Sequence, residues 1–453
     1  MLRPYDDHPI AALASGSGPG AVGVIRVSGI GALELVTGCA SVSIAETKPR
    51  YARLANIIDP STKDVIDEVL LMFFRGPRSF TGQDTVEIYC HGGPYIIQRI
   101  LSTIYSLGAR PAHPGEFTKR ALLNGKLDMT AAEGLRDLIE SQSRQQWLAG
   151  RQLYQGKLKS QVESLRTEVV GGMALLEAMI DFPDEGDTQS VRLSHVTDKV
   201  ANVAAMIDRL LSTFTSGKVA SRGLMVALVG APNAGKSTLL NSLLGRPRAI
   251  VSEQAGTTRD YIEESCLLDG RLLRLIDTAG LRDTDDHIER QGISLSKQMM
   301  AEADLVLCLI TSDSKENDRD EILRQISALG KPSIITVTKS DISKPRWSDD
   351  LTTISCRTGE GLAELKQKLI NMVDQATGSI EEQPFITSAR QAAALQRAHE
   401  ALKRFSAALE SAAGHEMLAF ELQEATRALA SIVGDISSED VLDKIFSEFC
   451  IGK

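Results

Sequence analysis

The sequence predicts a chain that is part α/β and part all-α. An N-terminal α+β domain covers residues 1–120. A helical domain is split into residues 121–218 and 377–453, around an inserted α/β domain at 222–376. Three observations predict this arrangement. Short β-type runs crowd with turn residues near the start. Apolar residues step by three and four in two separated stretches. Between those stretches apolar runs alternate with helical ones, the rhythm of parallel strands joined by crossover helices with helices on both sheet faces. A length of 453 residues suits about three domains.

Each element has its own signal. Val22, Val24, Ile25 and Val27 form a strand before the turn Ser28-Gly29, and Val69–Phe74 and Val86–Tyr89 form two more. Gly76-Pro77, Thr81-Gly82 and Gly92-Gly93-Pro94 supply turns. Val196, Val200, Val203, Met206, Ile207, Leu210, Leu211 and Phe214 share one face of a helix. The segment 181–186 breaks the helical pattern and reads as a loop. In the inserted part, strands are expected at Met225–Val229, Leu272–Ile276, Leu305–Ile310 and Ser333–Val337. Further on, Leu418, Leu422, Ala425, Leu429 and Ile432 line a helix, and Ser437-Ser438-Glu439-Asp440 starts another. Isolated amphipathic helices are marginal, so the two helical stretches need each other. Surface loops tolerate inserted domains, which makes the split arrangement the simpler reading than two helical domains.

Composition narrows the function classes. The chain is 43% hydrophobic and 24% charged, with a net charge of −9. A non-specific nucleic-acid binder would need excess cation, although a local basic site remains compatible. No apolar run reaches the roughly 18 residues of a spanning helix. Asp6 and Asp7 make the N-terminus a poor secretion signal. Cys39, Cys90, Cys266, Cys308, Cys356 and Cys450 include no CxxC pair. Zinc and disulfide frameworks are not expected, and a cytoplasmic location fits.

The chemistry sits in the inserted part. Gly230-Ala231-Pro232-Asn233-Ala234-Gly235-Lys236-Ser237 matches GxxxxGK[ST], after an expected strand and before an apolar helical run. Such a loop turns backbone N–H groups toward phosphate oxygens, and the helix N-terminus adds partial positive charge. Lys236 is expected at the β/γ-phosphates and Ser237 on Mg²⁺. Asp277-Thr278-Ala279-Gly280 follows another strand; its carboxylate suits the magnesium shell and the Gly280 N–H the γ-phosphate. A threonine of Ala255-Gly256-Thr257-Thr258-Arg259-Asp260 can join the Mg²⁺ shell only while the γ-phosphate is present, which makes a switch loop. Thr258 is the chosen ligand and Thr257 its rival.

Thr338-Lys339-Ser340-Asp341 and Ser355-Cys356-Arg357 each follow a strand. Asp341 can accept the guanine N1 and N2 protons, and the Cys356 N–H can face O6. These stretches resemble the translation-factor-like small GTPases, with a Ras-like P-loop fold. Thr338 stands in place of the usual asparagine, and Cys356-Arg357 in place of Ala-Lys. The Thr338 hydroxyl can still brace the P-loop with shorter reach. Leu281 occupies the position of a water-orienting glutamine and cannot do that work. Glu289 is a candidate replacement, although an acid there, read by itself, is more readily a solvated helix-face residue. Asn233 could hold a monovalent cation near the phosphates or simply brace the loop.

The resemblance extends along the chain. Val24-Ile25-Arg26-Val27-Ser28-Gly29, Ser79–Asp84, His91-Gly92-Gly93-Pro94, Arg110–Thr118, Asp181-Phe182-Pro183 and the ending Phe449-Cys450-Ile451-Gly452-Lys453 are similar to the tRNA-modification GTPases known as MnmE or TrmE. That resemblance implies an N-terminal folate-binding domain that forms a homodimer, a helical domain and an inserted G domain. It implies a larger complex with a flavoprotein partner, MnmG, which carries FAD. Together the two proteins would place an aminomethyl-type group on C5 of the wobble uridine of certain tRNAs. The one-carbon unit would come from 5,10-methylene-tetrahydrofolate, with 5-formyl-tetrahydrofolate as a related ligand. Hydrolysis would be K⁺-stimulated and would require paired G domains.

Residue by residue, the resemblance carries GTP contacts onto Asn233, Ala234, Gly235, Lys236, Ser237 and Thr238. It carries others onto Ser252, Glu253, Gln254, Ala255, Gly256, Thr257 and Thr258, onto Asp277, Thr278, Ala279 and Gly280, and onto Thr338, Lys339, Asp341, Ser355, Cys356 and Arg357. Mg²⁺ falls on Ser237 and Thr258, and K⁺ on Asn233, Ser252, Gln254 and Thr257. Glu289 becomes the water-orienting acid, with Lys236 and Gly280 as the other catalytic groups. Folate falls on Arg26, Glu87, Lys126 and Lys453. Arg26 and the lysines suit the glutamate-tail carboxylates, and Glu87 the donor-rich pterin ring. Cys450 is either a thiol near the folate or a structural one. His91 receives no catalytic role.

A ribosome-assembly switch of the Era or Der kind shares this G-domain chemistry. Such proteins carry a C-terminal basic RNA-binding domain or a second G domain. Residues 377–453 here hold 7 Lys+Arg and 12 Asp+Glu, and the chain has one P-loop motif. Both facts count against that rival. No basic amphipathic surface helix for a membrane is evident from the sequence.

Overall fold

The computed structural model describes residues 8–16, 18–44, 48–181, 186–245, 262–277, 303–328, 330–343, 351–378, 384–434, 439–447 and 449–452. Contacts divide the chain into two compact units. One comprises Met1–Arg136, Val162–Pro183 and Ala407–Lys453, the other Asp137–Gln161 and Asp184–Ser406.

The first unit holds a six-stranded sheet in the order β3-β4-β5-β2-β1-β6. Its strands are β1 (Ile10–Leu13), β2 (Val22–Ser28), β3 (Arg53–Ile58), β4 (Val65–Phe74), β5 (Thr85–His91) and β6 (Arg110–Pro111). Alternation along the strands sends Ile25, Val27, Val69, Leu71, Phe73, Val86 and Ile88 into one core. That core is closed by α1 (Ala32–Thr37) and α2 (Pro94–Ser106). The other face carries the alternate residues, Arg26, Glu87 and Tyr89 among them, because side chains two apart share a face.

Past α3 (Glu116–Leu123), Met129 and Ala132 of α4 (Met129–Glu140) meet the end of the chain. They pack with Leu442, Phe446 and Phe449. Gly115 has φ 65°, and a Cβ there would lie 2.7 Å from the Phe446 carbonyl oxygen. At Gly452, φ 93°, a Cβ would fall on the Leu13 carbonyl of β1. The C-terminal tail therefore lies against the first strand, and only glycine permits the approach.

The second unit contains helices and another six-stranded sheet, in the order β12-β11-β10-β7-β9-β8. Its helices before the sheet are α5 (Arg144–Tyr154), α6 (Lys157–Asp181, of which the start belongs here), α7 (Gly186–Ser212) and α8 (Phe214–Arg222). The strands are β7 (Leu224–Gly230), β8 (Ile262–Leu268), β9 (Arg271–Asp277), β10 (Leu305–Thr311), β11 (Ser333–Thr338) and β12 (Thr352–Thr353). Four of these coincide with the expected strands to within a residue at either end. The apolar side chains of β7, β9 and β10 pack with those of α9 (Lys236–Leu244) and α11 (Leu362–Thr377). Those of β10 also meet Ile326 of α10 (Glu316–Ala328).

One expectation needs correction. The sheet is not wholly parallel: β8 runs antiparallel to β9 at the edge. Asp269 (φ 52°) and Gly270 (φ 76°) join the two strands. An Asp-Gly pair is a strong hairpin signal, since both residues tolerate positive φ. Helix α12 (Ala389–Glu410) begins in this unit and ends in the first, and α13 (His415–Val433) and α14 (Glu439–Phe446) complete the chain.

Candidate functional site

The loop after β7 has the shape its glycines and spacing require. Gly230 lies so close to β10 that a Cβ would sit 2.5 Å from the Leu309 carbonyl oxygen. Asn233 (φ 64°) and Gly235 (φ 92°) adopt left-handed backbone, which turns successive N–H groups to one side. Helix α9 then starts at Lys236 with no side-chain cap, so its first N–H groups are presented to a ligand. The Lys236 ammonium folds back over the loop and donates to the carbonyls of Gly230 at 2.7 Å and Ala231 at 3.0 Å. A phosphate would compete with those two neutral acceptors from a stronger position, being charged.

Two loops at the C-terminal ends of parallel strands complete this site, the edge at which ligands bind in open α/β sheets. Thr338 ends β11, and its Oγ1 donates to the Ala234 carbonyl at 2.7 Å. The shorter side chain thus reaches the P-loop. Lys339 turns the chain with φ 63°, and its carbonyl accepts from Ser312 Oγ at 2.9 Å. The Asp341 carboxylate accepts from Ser355 Oγ at 2.7 Å and pairs with Arg357 Nε at 2.9 Å. The Ser355 hydroxyl, helped by the Arg357 charge, holds this carboxyl below the usual range, so it is an anion that accepts hydrogen bonds. Burial pushes the Cys356 thiol up, while a hydrogen bond from Ser242 on α9 draws it back. Cys356 is therefore a packing residue whose neighbours belong to the same loop system.

Asp277 ends β9, paired in register with Leu228 of β7, which brings its backbone beside the P-loop strand. Ser252, Glu253, Gln254, Ala255, Gly256, Thr257, Thr258, Thr278, Ala279, Gly280 and Glu289 lie outside the described residues, as does Lys453. Of the expected K⁺ ligands the described one is Asn233, and of the Mg²⁺ ligands Ser237, on the first turn of α9.

A second polar site stands on the other face of the first unit's sheet. Arg26 and Glu87 are register partners across β2 and β5. Arg26 Nε and Nη2 donate to Glu87 Oε1 at 3.0 and 2.9 Å. The Arg26 guanidinium also lies over the rings of Phe80 (5.3 Å) and Phe117 (5.6 Å). Both charged side chains are largely buried, at 16% and 13% exposure, so each depends on the other. Tyr89 was not anticipated. Its hydroxyl donates to Glu87 Oε2 at 2.6 Å, and burial, followed by the bond to Glu87, pushes its pKa up to about 12. Strand periodicity held the clue, since Glu87 and Tyr89 are two apart.

Lys126 is exposed and donates to the Pro77 carbonyl at 2.9 Å, on the same loop that carries Phe80. Arg26 and Glu87, which the sequence reading gives to a ligand's acidic tail and to its ring, are bonded to one another. His91 Nδ1 is held by Asp67 Oδ1 at 2.7 Å, so the histidine is satisfied as expected, although it ends strand β5 and does not sit in a loop.

Comparisons with known proteins agree with this architecture. A family model described as "MnmE helical domain" matches residues 129–450, and one described as "GTP-binding protein TrmE N-terminus" matches 9–126. Three relatives each bear the name tRNA modification GTPase MnmE. That of Syntrophus aciditrophicus is 38% identical, over 98% of this chain and 99% of its own. That of Chlorobium chlorochromatii is 38% identical over 99% of each. That of Moorella thermoacetica is 39% identical, over 99% of this chain and all of its own.

Proposed function

The chain belongs to the MnmE family of tRNA modification GTPases, and from that premise we propose how its residues divide the work. It is a GTPase with a P-loop. In the proposed complex, the N–H groups of Asn233–Thr238 and the Lys236 ammonium hold the phosphates, and Asp341 reads the guanine edge. Ser237 and Thr258 would hold Mg²⁺, and Asn233, Ser252, Gln254 and Thr257 would hold K⁺. These cations would supply positive charge where the β/γ bridge becomes anionic. Glu289 would orient the attacking water, and the Gly280 N–H would meet the γ-phosphate.

The observation that carries this reading is the 2.7 Å bond from Thr338 to the Ala234 carbonyl, which ties the base-reading loop to the phosphate loop. On the first unit, the Arg26–Glu87 pair offers both donors and an acceptor, the set that a pterin edge requires. Lys126 and Lys453 are left for the glutamate carboxylates of a tetrahydrofolate. In this reading residues 1–120 bind the folate and pair two chains. Residues 121–218 and 377–453 form the helical domain, and 222–376 the G domain. The assembly works in the cytoplasm with the FAD-bearing MnmG on the wobble uridine of tRNA.

The test is mass spectrometry of wobble uridine in tRNA from a strain lacking this chain. Modification should vanish, and should return with the wild-type gene but not with Lys236→Ala. Full modification in the deletion strain would refute the reading.

A further inference from the structure

The chain carries a net charge of −9, yet residues 141–162 hold four cations, Arg144, Arg151, Lys157 and Lys159, and no acid. Within that stretch α5 is presented rigidly. Ser143 and Gln146 form a reciprocal capping box at its start, and Gln146 Nε2 donates to the Ser221 carbonyl at 2.9 Å. Its inner side buries Gln146, Ala149, Gly150, Gln152 and Leu153. The opposite side carries Arg144, Trp147, Arg151 and Tyr154, steps of three and four that place them in one row. Aromatic residues make up 4% of the chain, yet Trp147 is 42% and Tyr154 43% exposed. The Arg151 guanidinium stands over the Trp147 ring at 5.1 Å, which holds the indole in one orientation.

We propose that this outer face of α5 is an RNA-binding surface, which stacks unpaired bases of the tRNA substrate on Trp147 and Tyr154 and meets their phosphates with Arg144 and Arg151. The proposal rests on the tRNA reading above and adds where the chain touches its substrate. Alternating planar π-faces and cations are what single-stranded RNA requires, since every base has a face to stack and every linkage a charge. An aromatic-rich helix face also suits a protein partner. The charge decides for RNA: α5 carries Arg144 and Arg151 and no acid, in a chain with an excess of acids, and so complements a polyanion. A ring already oriented by Arg151 loses less freedom when a base stacks.

The test uses the full-length protein with Trp347→Phe, so that Trp147 is the sole tryptophan. An unmodified anticodon stem–loop RNA is titrated by fluorescence, with GTP hydrolysis measured in parallel. Binding should quench Trp147. Against the native Trp147 protein, with RNA anisotropy as readout, Trp147→Ala and Tyr154→Ala should each weaken binding roughly tenfold. Trp147→Phe should lose less. The double variant Arg144→Gln/Arg151→Gln should weaken binding and lower the slope of log affinity against log salt by about 1.4, for two phosphate contacts. GTP turnover without RNA should stay unchanged throughout. Unaltered RNA affinity in these variants overturns the proposal. So does loss of binding to the flavoprotein partner with RNA affinity intact, which would assign the face to a protein. If the native chain binds no RNA while wobble modification still depends on it in cells, this surface is refuted and the function stands.

Discussion

Thr338 illustrates how much one short side chain decides. Its hydroxyl is buried and satisfies the Ala234 carbonyl. Thr338→Val keeps the shape and leaves that acceptor without its donor, at a cost of about 1–3 kcal/mol. GTP affinity by equilibrium titration should fall about tenfold or more, and Thr338→Ser should restore most of it. Burial makes a different prediction for the thiols. It pushes Cys39, Cys90 and Cys266 up to about 11 and Cys308 up to about 12, whereas Cys450 is exposed. A chromogenic disulfide reagent at neutral pH should therefore show a fast phase that Cys450→Ser removes. A fast phase that survives this substitution would contradict the assignment.

Glu116 adds a pH dependence. Burial raises its pKa, but the hydrogen bonds from Arg110 and the His113 N–H, with the charges of Arg120 and Arg110, outweigh that and hold it below its ordinary 4.5. A depressed folded-state value stabilises the fold above the unfolded value, and that stabilisation is lost as pH falls through the folded one. Urea midpoints followed downward from neutral pH should fall more steeply in the native chain than in Glu116→Gln.

At the scale of elements, the C-terminal tail is held by close approach as well as by the apolar packing of Phe449. The Gly452 backbone presses on the Leu13 carbonyl, and Gly115 N–H donates to the Cys450 carbonyl at 3.4 Å. Gly452→Val should release the tail from β1, making Cys450 and its neighbours faster to modify and to cleave. Intrinsic GTP turnover, which belongs to the other unit, should not change. Native-like cleavage in this variant would show that the approach does not hold the tail. Strand β8 makes a contrasting case. It is an edge strand with a single neighbour, and its existence rests on the two-residue turn Asp269-Gly270.

At the scale of the molecule, the acidic balance and the proposed function are reconciled by patterning, since a basic face on α5 is invisible in a sum over 453 residues. Among the described residues no helix is long and apolar enough to cross a membrane. If the G domains pair with K⁺ between loop and phosphates, specific GTPase activity should rise with protein concentration and be much higher in K⁺ than in Na⁺. Equal rates in the two salts would remove Asn233 from the cation site.

What the sequence determined by itself is local. The glycines and lysine of residues 230–237, the apolar runs of β7, β9, β10 and β11, and the three-four stepping of the long helices each depend on neighbours a few positions away. Backbone conformation and amphipathic period are set at that range. Tertiary structure alone decided that Glu87 binds Arg26, that the last residues lie on the first strand, and that Trp147 and Tyr154 stay at the surface. The physical reason is distance along the chain. Burial and close approach depend on which elements pack together, and no spacing within one element records its partner.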